Sequence, residues 1–192
     1  IEKAGLIERS GQGVDIMFAN CITEGRPMPD YGESDDFQVK LRIESRIENP
    51  QLRRFLINLR DTRKPEEQLN VFDLITIYSI IHQDGNGIHP RSVKRLLDEG
   101  IIIRHPKYEY EMGNPYFEHS PFVLKGHIDS DTLRRLHYIL ADGPKSMSSF
   151  ISEWDGELTL KQVRTKIEEL MGTVLSKSGI GRGTTYTFVN NG

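Results

Sequence analysis

The stretch from Thr159 to Val189 constrains the fold most. Thr159-Leu160-Lys161-Gln162 has the T-x-x-Q form of a capping box, in which two side chains satisfy backbone donors left over at a helix start. It opens a helix whose apolar positions, Leu160, Val163, Ile167, Leu170 and Met171, recur at helical spacing, and Gly172 closes it. Thr173 to Lys177 and Thr184 to Val189 then read as two strands around the tip Gly179-Ile180-Gly181-Arg182-Gly183. One short helix and a hairpin cannot bury their apolar stripes alone, so other helices must cover them. Two stand upstream: Thr132 to Leu140 with Leu133, Leu136, Ile139 and Leu140, then Ser146 to Trp154 after a Gly143-Pro144 break. Helix, helix, turn, helix, strand, wing, strand is the winged-helix order.

The same order occurs earlier in the chain. A helix is predicted over about Pro50 to Arg60 and a long apolar one over Glu66 to His82, stopped by Asp84-Gly85-Asn86-Gly87. A short helix from His89 to Glu99 ends at Gly100, Ile101-Ile102-Ile103 reads as a strand, and Lys107 to Leu124 as a hairpin turning near Gly113-Asn114-Pro115. Before these lie a helix up to about Ile7, a turn at Gly11 and Gly13, and a helix from about Val14 to Thr23. A half-buried strand follows at Phe37 to Ile43, where apolar and polar residues alternate strictly. Two helices and one strand do not complete a domain. The predicted organisation is α+β: residues 1–49 as the C-terminal part of a truncated α+β domain, 50–128 as a winged-helix-like unit and 129–192 as a winged-helix DNA-binding domain.

Charge is spread unevenly. Residues 1–49, 50–128 and 129–192 carry -4, +1 and 0, within a total of -3 over 192 residues. No apolar run reaches the roughly 18 residues of a membrane span. The single Cys21 leaves no intramolecular disulfide and no CxxC zinc site, which points to a reducing, cytoplasmic setting. The chain opens on Ile1 inside a helical pattern, as expected of a piece of a longer protein whose N-terminal domain is missing.

In a helix-turn-helix reader the recognition helix offers donors on the face opposite its buried stripe. Lys161, Gln162, Arg164, Thr165 and Lys166 lie off that stripe, with Glu168 and Glu169 kept to the C-terminal end. Basic residues in the first turns run against the helix dipole, a local cost that a polyanion would offset. Lys161, Gln162, Arg164 and Thr165 are therefore expected at the major groove, with Lys166 and the wing-tip Arg182 at phosphates. Arg91, Lys94 and Arg95 would do the same from the middle unit. The expected partner is double-stranded DNA, with a homodimer as a further option. Six to eight basic contacts imply weak, salt-dependent binding to random sequence.

The competing reading is a protein-interaction or dimerisation module built on the helix from Glu66 to His82. An ATPase or helicase fragment ranks last. Gly11-x-Gly13 and Gly179-x-Gly181-x-Gly183 lack the Lys-Ser/Thr of a phosphate-binding loop, and the histidines at 82, 89, 105, 119, 127 and 137 form no metal-binding spacing. No enzyme activity, cofactor or metal is expected.

Three stretches carry a family resemblance: Gly5-Leu6-Ile7-Glu8-Arg9-Ser10-Gly11-Gln12-Gly13-Val14-Asp15, Gly25-Arg26-Pro27-Met28-Pro29-Asp30, and Asp36-Phe37-Gln38-Val39-Lys40-Leu41. In these the chain resembles the C-terminal part of RecG-like transcriptional regulators. That family joins an N-terminal Schlafen/AlbA-type domain to a GHKL-like segment and C-terminal winged helices. The likeness covers about the first 45 residues, and the last 60 in general pattern, notably Gly181-Arg182-Gly183-Thr184-Thr185-Tyr186. It implies a bacterial DNA-binding regulator. Ser10 departs from the family's frequent aromatic, no helicase motif is present, and residues 50–128 match only by element order.

Overall fold

Asn49 starts the first well-capped helix, its side-chain oxygen accepting the Leu52 N–H at 2.9 Å while Pro50 takes the first helical position. In the computed structural model, which describes residues 12–106, 108–141 and 143–189, the chain is mixed α+β. Among the described residues it has nine helices and two small antiparallel sheets. One compact unit runs to Tyr116 and the other begins at Phe117. The cuts drawn from the sequence fall at 49/50 and 128/129 instead.

The first unit explains that difference. Helix α1 (Gln12–Thr23) buries Cys21 and Ile22 and packs on α2 (Pro50–Thr62) and α3 (Val71–His82), so residues before 49 share a core with those after it. Leu52, Phe55 and Leu56 supply the buried stripe of α2, each side chain worth about 1.5–3 kcal/mol on burial. Helix α3 begins at Val71, not Glu66. Asn70 accepts the N–H groups of Phe72 and Asp73, Asp73 accepts that of Asn70, and Pro65–Glu67 forms a separate 3-10 turn. Leu74, Ile77 and Ile80 are buried within this unit. Much of the apolar surface offered as a dimer interface is thus used inside the fold.

After α4 (Pro90–Asp98), Gly100 adopts φ +67 and the chain enters β1 (Ile102–His105), paired antiparallel with β2 (Glu109–Met112). The hairpin turns between His105 and Glu109, not at Gly113-Asn114-Pro115. Gly113 instead permits a close approach of two segments. Its N–H donates to the Ile101 carbonyl at 2.8 Å, and a side chain there would collide with the Gly100 carbonyl. Two short helices follow, α5 (Asn114–Phe117) and α6 (Pro121–Leu124).

The predicted strand over Phe37–Ile43 is absent; among the described residues the only pairing there is a single bridge from Arg42 to Asp30. Lys40 and Arg42 bond backward to Ser34 and Asp30, and Gln38 to Asp35. Val39, Leu41 and Ile43 make no backbone hydrogen bond among the described residues. Phe37 is 97% exposed and Val39 78%, so the alternation has no core to face. The predicted helix through Ile7 and the turn at Gly11 lie outside the described residues. Gly13 stands inside α1.

The second unit holds α7 (Ser130–Leu140), α8 (Met147–Glu153), α9 (Leu160–Glu169), β3 (Leu175–Ser178) and β4 (Thr185–Phe188). Leu133, Leu136, Phe150, Val163, Ile167 and Leu175 make its core, with Phe150 edge-on to Tyr186 at 5.6 Å. Ser178 opposes Thr185 and Leu175 opposes Phe188 across the hairpin. Lys145 adds one further rung, its N–H and C=O both bonded to Tyr186, at 3.0 and 2.8 Å.

Candidate nucleic-acid interface

The capping box expected at Thr159 is formed, and it fixes where α9 starts. The Gln162 N–H donates to the Thr159 hydroxyl at 3.3 Å, and the Gln162 side-chain oxygen accepts the Thr159 N–H at 2.9 Å. Val163 and Ile167, buried at 1% and 0% exposure, fix the rotation of the helix. Lys161, Arg164 and Thr165 are left on the exposed side. Neither Lys161 nor Arg164 forms an ion pair among the described residues.

Three other sequence-derived residues of this unit are placed differently. The Gln162 carbonyl oxygen is committed to the cap, also accepting the Thr159 hydroxyl at 2.8 Å, so only its amide donors remain for a base edge. Lys166 lies 3.7 Å from Asp129, the residue that caps α7. Burial alone would raise the Asp129 carboxyl, but hydrogen bonds from Thr132 and the Lys166 charge together hold it below its ordinary value. The Arg182 side chain lies outside the described residues; its backbone belongs to the 3-10 turn Gly181–Gly183.

A groove joins α9 to the hairpin tip and the start of α8. Arg164 and Glu168 form one wall, Gly181, Thr184 and Tyr186 another, and Ser146 and Ser148 the end. The two serine hydroxyls lie 2.7 Å apart. Sequence reasoning does not single out these hydroxyl-bearing residues. Their one signal is the cluster Ser146-Met147-Ser148-Ser149 before an amphipathic run, which reads equally well as an ordinary helix start.

On α4, Arg91 and Lys94 point outward, with no ion pair among the described residues. Arg95 requires a correction, because its guanidinium is spent inside the fold. It bonds Asp73 at 2.8 Å, Glu99 at 2.9 Å and the Glu67 and Gln68 carbonyls at 2.6 and 3.2 Å. Asp73 is 1% exposed, and such a carboxylate needs a cation. Glu99 is shared with Arg63 at 2.6 Å. Burial works to raise the Glu99 carboxyl, yet the bonds from Arg95 and Arg63 outweigh it and hold it low. A hydrogen bond to Glu99 is the main cause that raises Arg95. Four of its five N–H donors are therefore taken within the fold.

No protein-family model matches the chain, and no curated protein matches it. Among solved structures it is similar to the DIP2311 protein from Corynebacterium diphtheriae, at 17% identity and a TM-score of 0.43. That likeness covers 98% of this chain and 38% of the other, so the chain spans well under half the length of its structural relative. At this level the likeness carries no functional argument.

Among the described residues, no group of three or more His, Cys, Asp or Glu side chains is placed to hold a metal ion, and no helix is long and apolar enough to cross a membrane. Chemically, the surface around α9 can donate hydrogen bonds and positive charge to an anion. The serine and threonine hydroxyls add donors that carry no charge.

Proposed function

We propose that this chain is the DNA-binding region of a RecG-like transcriptional regulator. In this reading each unit carries a winged helix, and α9 enters the major groove. One observation carries it: Lys161 and Arg164 stand without an ion-pair partner among the described residues, on the exposed side of a helix locked by its capping box and buried stripe. The locked helix backbone has little freedom left to lose on meeting a polyanion, so the ordering cost falls on the two long side chains alone. Thr165 joins them at the major groove, Lys166 turns from Asp129 to a phosphate, Gln162 offers its amide donors, and Arg182 is assigned a phosphate from its place in the sequence of the wing. Arg91 and Lys94 are a weaker second contact on α4.

Fluorescence anisotropy with a generic duplex, at about 50 and 200 mM salt, tests the DNA reading. Salt-sensitive binding, reduced about tenfold by Lys161→Ala/Arg164→Ala and with a shallower salt slope, is the expected result. No binding at the lower salt, or full binding by the double variant, would overturn it in favour of a protein-interaction module.

A further inference from the structure

Ile180 is 94% exposed at the tip of the β3–β4 hairpin, more than any other large apolar side chain described in its unit. The tip around it is tightly built. Gly179 has φ +82, and a side chain there would collide with the Gly183 carbonyl; Gly181 has φ +60. Gly183 N–H donates to Ile180 at 3.2 Å and Thr184 N–H to Gly181 at 3.2 Å, closing the 3-10 turn. Ile180 itself holds extended backbone, φ -131 and ψ 141. As a β-branched residue it has few side-chain rotamers to lose on contact. The next residue, Gly181, lines the groove that contains Arg164. A stiff apolar group is thus carried beside the groove that holds Arg164 and Glu168, where phosphate contacts alone would give it nothing to do.

Duplex DNA offers such a group two apolar targets, the thymine methyl and the stacked faces between base pairs. Resting on the DNA-binding reading above, we propose that Ile180 is a minor-groove wedge. It slips partly between two base pairs when α9 lies in the adjacent major groove, bends the duplex, and selects steps that unstack easily. Pyrimidine–purine steps such as TA are the preferred sites, and stiff A-tracts are disfavoured. Selectivity would then come from deformability at a position without a hydrogen bond to a base.

The test uses the full chain and two end-labelled duplexes, one with a central TA step and one with a central A-tract. Anisotropy reads affinity, and energy transfer between the ends reads bending. The wild type is expected to bend the TA duplex and to bind it more tightly. Ile180→Ser is expected to lose the bend and about three- to tenfold in affinity for that duplex, while keeping its A-tract affinity and its salt slope. Ile180→Leu should restore most of the bend. Wild-type binding without bending, or bending unchanged in Ile180→Ser, would overturn the wedge and leave the DNA reading standing. No binding to either duplex would overturn both.

Discussion

The two helices that precede the hairpins, α4 and α9, carry similar basic residues and spend them differently. On α4, Arg95 is drawn inward by the buried Asp73 and by Glu99 four residues on. On α9, Arg164 also has an acid four residues on, Glu168, but among the described residues no ion pair joins them and no buried acid faces the arginine. A basic residue is available to a ligand only where the rest of the fold makes no claim on it, and an acid on another helix decides that. Charge patterning along one helix cannot reveal it.

The largest expected effect breaks this contrast from the α4 side. Asp73→Ala removes the buried partner of Arg95, which keeps Glu99 and two carbonyls, and the return bond of the Asn70 cap, and should destabilise the first unit by about 2–3 kcal/mol. Trp154, the chain's single tryptophan, lies in the second unit. In urea, far-UV circular dichroism should therefore report the loss while Trp154 fluorescence moves less. Equal shifts of both signals would mean that the two units unfold together.

Next in size is the contrast in binding. Lys161→Ala/Arg164→Ala should cost about tenfold in affinity for DNA and Arg91→Ala/Lys94→Ala about threefold or less, with both folds intact by circular dichroism. An equal loss from both pairs would give α4 the same standing as α9. Thr159→Ala, which removes the α9 cap, should cost about 1 kcal/mol in urea unfolding. It should weaken DNA binding only as far as the first turn frays.

The smallest effect is on acid stability. Glu99 and Asp129 both have carboxyls held below their ordinary values of 4.5 and 3.8, so the unfolded chain takes up protons before the folded one does. Their stabilisation is complete above those ordinary values and is lost as pH falls through the lower folded ones. Glu99→Gln should flatten the acid limb of a thermal-melting profile for the first unit, and Asp129→Asn that of the second. A variant with an unaltered limb would show that its carboxyl does not drive the acid loss.

How much of the fold is legible in the sequence follows from how local each cause is. The Thr159 cap, the Pro50 start and the Gly100 stop depend on residues within a few positions of one another, and all three appear in the structure. Periodicity alone starts α3 five residues too early because Glu66 to Leu69 fit a helical pattern, whereas the Asn70–Asp73 box sets the start at Val71. The hairpin of the first unit is misplaced for a different reason. Gly113 suggests a turn, but it serves a close approach to Gly100, two segments brought together only by folding. At the site, Lys161, Arg164 and Thr165 are legible from the buried stripe opposite them. The loss of Arg95 to Asp73 and the commitment of Gln162's oxygen to the cap depend on geometry.

The exposed row from Phe37 to Ile43 bears on how the protein behaves at high concentration. Four alternating apolar side chains, beside N–H and C=O groups at Val39, Leu41 and Ile43 that make no bond among the described residues, match the pattern that seeds intermolecular cross-β stacking. Asp35, Asp36, Lys40 and Arg42 flank and interrupt the row with charge of both signs, and they act as gatekeepers against it. Salt that screens those charges removes part of this protection, so solubility should fall with ionic strength. A proline at Leu41, which deletes one of those donors and leaves every charge in place, should restore it.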